Sequence, residues 1–158
     1  DGQRELLPTK VEAFAGQRVV AVSVAFGHSL ALTANGSVWS WGLGDGGQLG
    51  HGDEQHQLLP KKIEAFAGRR VVAVSVGSTH SLAITADCAV WSWGEGDDGR
   101  GRGPRLGHGN EQHQLLPKKI EAFAGQQVIA VSAGNSHGLA LTADGAVWSW
   151  GWGGEGRL

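Results

Sequence analysis

The chain has 158 residues, a formal net charge of −2 and one cysteine, Cys88. That length allows one ordinary domain, the charge gives no general pull toward nucleic acid or an anionic membrane, and a lone thiol excludes an internal disulfide framework and fits an intracellular location, cytoplasmic or nuclear. No stretch of about 18 apolar residues could cross a bilayer as a helix, and the opening DGQRELLPTK shows no apolar signal region.

Glycine is abundant, with 27 residues placed between short apolar runs, which predicts many tight turns. In chain order, VVAVSV (19–24) reads as a strand, and HSLALT (28–33) as the next. Asn35-Gly36 is a hairpin signal, because a type I′ turn needs positive φ at both central residues. VWSWG (38–42) follows, then a glycine-rich loop, LGDGGQLGHG. The phrase then returns as HSLAITADCAVWSWG from His80 and HGLALTADGAVWSWG from His137. Trp39, Trp91 and Trp148 keep the same spacing, as do Phe14, Phe66 and Phe123. One change of length separates the units: LGDGGQLGHG becomes EGDDGRGRGPRLGHG, an insertion that marks a surface loop.

These periods divide one repeat domain, 1–158, into units 1–52, 53–109 and 110–158, the last clipped. The chain begins in phase and stops mid-phrase, as a piece of a longer array would. Each unit predicts four short strands. PKKIEAF (60–66) alternates, with Ile63 and Ala65 on one face; VVAVSV (71–76) is apolar enough to be covered on both faces. No helical period is sustained. Four antiparallel strands per roughly 50 residues, repeated, predict propeller blades.

The run from Val71 through His80-Ser81-Leu82 and Trp91-Ser92-Trp93-Gly94 to Leu106-Gly107-His108-Gly109 resembles the repeat of the regulator-of-chromosome-condensation family. The resemblance covers essentially the whole chain and implies an all-β fold: three four-stranded antiparallel blades, an open arc or a fragment of a seven-bladed ring. Photoreceptor members of that family place Trp in a Gly-Trp-Arg-His-Thr motif. The matching positions here are Phe26, Ser78 and Asn135, which disfavours that activity.

Several motifs imitate chemistry. G-x-G-x-x-G occurs at Gly42–Gly47, Gly94–Gly99 and Gly151–Gly156, but no helix follows to hold a pyrophosphate. Gly134–Gly138 matches the nucleophile elbow, yet Ser136 precedes a strand and its counterparts are Gly27 and Thr79. His51/His56 and His108/His113 could hold a metal only weakly without cysteine. His28, His80 and His137 would be spread around a propeller axis, so they read as turn histidines. The paired Trp of each W-S-W share a face and read as packing between sheets. No catalytic, cofactor or metal site is expected.

Function is therefore expected in the loops. The varied loop after W-S-W-G is the candidate contact surface: Arg100, Arg102 and Arg105 as charged contacts, with Asp97 and Asp98 partly cancelling them, and Asp45, Gln48, His51 and His108 as neighbours. The reading is a protein–protein interaction scaffold without enzymatic activity. The family resemblance adds two alternatives: nucleotide exchange on a Ran-type small GTPase, and substrate recruitment for a HECT-type ubiquitin ligase. Self-association is expected to cover open blade edges.

Overall fold

The computed structural model describes residues 5–97 and 99–158. Eleven strands are described, in three antiparallel sheets. The first holds β1 (Val19–Val24), β2 (His28–Thr33), β3 (Val38–Gly42) and β4 (Gln57–Lys62) in that order. The second repeats this with β5 (Val71–Val76), β6 (His80–Thr85), β7 (Val90–Gly94) and β8 (Gln114–Lys119). The third has β9 (Val128–Ala133), β10 (His137–Thr142) and β11 (Val147–Gly151). Two of the three expected blades thus have four strands; among the described residues the third has three.

A hairpin forms in every unit, but not through the expected type I′ turn. Gly36 and Gly145 sit at φ 85° and 87° and Cys88 at 63°, whereas Asn35, Asp87 and Asp144 before them are not left-handed, so only the second of the two central residues needs positive φ. In each turn a threonine hydroxyl donates to the Asx side chain two residues on: Thr33 to Asn35, Thr85 to Asp87, Thr142 to Asp144. That bond explains why the phrase is T-A-D/N-x rather than any polar pair.

PKKIEAF behaves differently from the expected strand. Pairing ends at Lys62, and Glu64–Phe66 forms a 3₁₀ turn. Ile63 is buried and Ala65 exposed, so the two do not share a face. The strand preceding the turn pairs back onto the sheet before it, with Ser40 opposite Lys61. The turn then carries the chain forward to the next sheet. The blades are therefore offset from the sequence units by one strand.

Each turn delivers a phenylalanine to the next pair of tryptophans. Phe66 meets Trp91 and Trp93 edge-on at centroid distances of 5.8 and 5.6 Å. Phe14 and Phe123 repeat the contact with Trp39/Trp41 and Trp148/Trp150. Edge-to-face geometry suits the aromatic quadrupole and adds about 1 kcal/mol beyond area burial. Two apolar cores form between sheets: Leu30, Leu32 and Val38 against Val76, Ala83 and Trp93, then Ile84 and Val90 against Val128 and Ala140. Along the inner strands, Ser23 Oγ accepts the Val76 amide at 3.1 Å and Ser75 Oγ accepts that of Ala133 at 3.0 Å. Every blade contact therefore reuses one rule.

Candidate partner-binding rim

The loop from Gly42 to Gly52 is pinned from within. Gln48 is 2 % exposed; its side chain accepts from Gly46 N at 2.8 Å and donates to Asp45 at 3.2 Å. Its carbonyl accepts from Ser81 Oγ and from Trp93 Nε1, both at 2.9 Å. Ser40 Oγ donates to the Leu49 carbonyl at 2.7 Å, so its contact of 2.9 Å with His51 Nε2 must be donated by the ring. Ser92, Leu106 and His108 repeat this at 2.7 and 2.8 Å. The middle serine of W-S-W and the histidine of L-G-H-G are thus one loop clasp. Desolvation lowers the pKa of both His51 and His108, with Lys61 and Lys118 adding repulsion. Of the expected neighbours, Gln48 is buried and both histidines serve the fold; Asp45 is exposed.

Arg105 also departs from its expected place. Its side chain is 2 % exposed. One Nη1 reaches Thr79 Oγ1 at 2.6 Å and Glu95 at 3.3 Å, and Nη2 donates to the Arg102 carbonyl at 3.2 Å. A buried guanidinium is held where a carboxylate and local acceptors surround it, so Arg105 anchors the insertion rather than presenting itself. Asp98, expected to offset the charge, lies outside the described residues.

The insertion does reach outward. Arg100 is exposed, and a side chain at Gly99 or Gly101 would meet open space. Arg102 places its guanidinium carbon 5.9 Å from the Trp152 ring centroid, and Arg157 approaches the same ring at 4.4 Å. Trp152 is the one tryptophan outside the W-S-W triplets, and the sequence reading did not single it out. The repeat register carries the signal. Leu43, Glu95 and Trp152 are equivalent positions, as are Gln48, Arg105 and Arg157, so the pairs change together: Leu with Gln, Glu with Arg, Trp with Arg. The result is a half-buried indole flanked by Arg102 and Arg157, with Arg157 also paired to Glu155 at 2.7 Å.

The decoys find structural roles. His28 Nε2 contacts Ser81 Oγ at 2.9 Å, and burial lowers its pKa to about 4. His80 is fully buried, and desolvation, with Arg105 and the two other histidines, lowers its pKa to about 3. Neither of its ring nitrogens has a hydrogen-bond partner. The repeat supplies a reason: the position equivalent to Ser81, which bonds His28, is Gly138 in the next unit and carries no hydroxyl. Ser136 is buried, and its carbonyl accepts from Trp152 N ahead of β10. His56 accepts from Gly44 N while His51 turns to Ser40, so the two do not converge. Among the described residues no group of three His, Cys, Asp or Glu comes together, and no helix is long and apolar enough to cross a membrane.

Models of the regulator of chromosome condensation (RCC1) repeat match residues 35–84 and 88–141, and a second model of that repeat matches 19–48, 71–100 and 128–157. The human E3 ubiquitin-protein ligase HERC2 is 41% identical over all of the chain, which spans 3% of that protein. The Arabidopsis thaliana ultraviolet-B receptor UVR8 is 38% identical over all of the chain, which spans 35% of it. The structure of Prp20p from Saccharomyces cerevisiae, described with its binding to Gsp1p and histones, superposes with a TM-score of 0.73 at 29% identity, covering 87% of this chain and 33% of that one. The sheets are blades of a partial β-propeller, and the chain belongs to the regulator of chromosome condensation (RCC1) repeat family.

Proposed function

We propose that the chain is an intracellular protein-interaction module that acts by binding at its rim, without catalysis of its own. One observation carries the reading: the inserted loop projects Arg100 and leans Arg102 across Trp152, where Arg157 joins it. Arginine and tryptophan are the side chains that dominate protein contacts, and guanidinium groups favour an acidic partner surface, which would compete with Glu155 for Arg157. The framework strands are nearly identical between units and offer little to distinguish ligands. Replacing Arg100, Arg102 and Arg157 together by alanine should weaken capture of an acidic partner at low salt and leave the fold intact. The difference between parent and variant should shrink at high salt, because screening removes the same attraction. Undiminished capture at low salt would move the contact to another face.

Within that reading, the likeness to HERC2 over the whole chain favours substrate recruitment for a ubiquitin ligase. Prp20p binds Gsp1p, which keeps a small GTPase as the alternative partner. Nucleotide release from a Ran-type GTPase, measured with and without the chain, separates the two: acceleration favours exchange, and none favours recruitment.

A further inference from the structure

Two hollows open at the end of the strands opposite the W-S-W-G loops, one at the first blade and one at the second. β2 and β3 pair His28 with Gly42 at the loop end and Leu32 with Val38 at the hairpin end, and the hollows lie beside the hairpin turns. Each holds about 290 Å³ between a hairpin turn and the 3₁₀ turn that follows its blade. They are repeat counterparts: Phe66 and Gly68 line the first, Phe123 and Gly125 the second. Their charge differs. Lys62, Arg69 and Arg70 line the first, no carboxylate does, and among the described residues none of the three is in an ion pair. In the second, Arg69 and Arg70 become Gln126 and Gln127, and Asn35 becomes Asp87, which cancels the remaining Lys119.

The fold does not ask for that difference. The Arg69 and Gln126 amides make the same bond, to the Phe66 and Phe123 carbonyls, both at 2.9 Å; the Arg70 and Gln127 carbonyls accept from Ala86 N and Ala143 N at 2.8 and 2.9 Å. Asn35 accepts the Thr33 hydroxyl as Asp87 accepts that of Thr85, so either side chain closes the turn. Asparagine adds an N–H donor there, where aspartate adds a second anionic oxygen. The Thr85 hydroxyl also holds Asp87 below the usual carboxylate range, so the second hollow keeps its negative charge. Room is made for the arginines of the first. A Cβ at Gly36 would stand 2.7 Å from Arg70 Cγ, and its counterpart Cys88 carries one. The Arg69 guanidinium carbon lies 5.0 Å from the Trp91 ring centroid, a cation–π contact that steadies it.

We propose that the first hollow binds the phosphate of a phosphoserine or phosphothreonine on a partner protein, with Lys62, Arg69 and Arg70 as charge partners and Asn35 as a further donor. A phosphate monoester carries about −1.5 to −2 charge and three acceptor oxygens at neutral pH; a lone carboxylate would leave most of the positive charge unanswered. Guanidinium groups meet phosphate oxygens in pairs, which is how arginine clusters read phosphorylated segments. The positive charge is confined to one hollow, and Asp87 and Asp144 occupy the next two turns, where they would repel a run of phosphates. A single phosphate suits this face, and a nucleic-acid backbone does not.

The second hollow is a control inside the same molecule. With the peptide Gly-Ala-phosphoserine-Ala-Gly as probe, amide NMR shifts of the 158-residue chain should centre on Gly68, Arg69 and Arg70 and spare Gly125, Gln126 and Gln127. Arg69→Gln with Arg70→Gln, which copies the second hollow, should weaken binding at least about tenfold, and the peptide with plain serine should lose as much. The reverse transplant, Asp87→Asn, Cys88→Gly, Gln126→Arg and Gln127→Arg, should install a second site. Replacing Arg100, Arg102 and Arg157 by alanine should leave the peptide's affinity unchanged, which separates this site from the rim. If a variant misfolds by circular dichroism, the shift map of the parent decides alone. No shift at residues 68–70, equal shifts at both hollows, equal binding of the plain peptide, undiminished binding by the double glutamine variant or loss in the rim variant would overturn the proposal. So would inorganic phosphate binding as tightly as the peptide, the mark of a site for the free ion, or a DNA oligonucleotide binding more tightly, the mark of a nucleic-acid face.

Discussion

At the scale of single residues, the repeat supplies its own controls, because each position is seen in more than one setting. Cys88 stands where the sister turns have glycine, and its φ of 63° confirms that the backbone did not relax away from the strained region. An L-residue there costs about 1 kcal/mol. Cys88→Gly should therefore raise unfolding stability by about that amount, read from denaturant midpoints; an unchanged midpoint would refute the strain. The histidines make a second case. The folded-state pKa values of His28 and His80, about 4 and about 3, lie below the unfolded value of 6.5. Below pH 6.5 the unfolded chain takes up protons that the folded chain refuses, so stability falls as pH falls. Above pH 7 both states are neutral and stability is flat. Between pH 6 and pH 5, before most carboxylates titrate, the two rings together should remove up to about 2.7 kcal/mol per pH unit. Urea titrations at pH 7.5, 6 and 5 measure this, and equal stability at all three would mean that the rings are not held neutral.

At the scale of elements, hairpins were legible because their turn chemistry is local, and the W-S-W face was legible because strand period is two. What escaped was everything that depends on the neighbouring blade. Nothing local in PKKIEAF says that its first half pairs backward while Phe66 reaches forward; only the stacking of sheets makes that division. Arg105 escaped for a related reason. GRGRGPR reads as a solvated loop, and the acceptors that bury its last arginine, Thr79 and Glu95, come from other segments. The consequence is a sharp difference within one loop. Arg105→Ala should destabilise the protein by about 3 kcal/mol, because it strands a partly buried carboxylate and opens space beside Leu106. Arg100→Ala, at an exposed position, should stay within about 0.5 kcal/mol. Equal effects would return Arg105 to the surface.

At the scale of the whole molecule, stability is a sum over blades and the contacts between them, as in other repeat proteins. Two blade contacts are made within the chain, and the outward face of the third blade is left to water. The sequence made the repeat visible, but periodicity alone cannot show that the blade boundary falls one strand later than the sequence boundary. That offset has a testable consequence. A chain extended after Leu158 by GHGNEQHQLLPKK, the run that follows Leu106 and ends in β8, would carry the missing outer strand on its own backbone. An attached strand pairs at an effective concentration in the millimolar range, far above that of a strand offered by another molecule. The extended chain should be more thermostable than the parent, and its Tm should not change with protein concentration. The parent's Tm should rise with concentration, because a partner that binds only the folded state stabilises it by mass action. A parent Tm that is flat over a hundredfold range, with no gain on extension, would show that the edge of β11 costs the fold nothing.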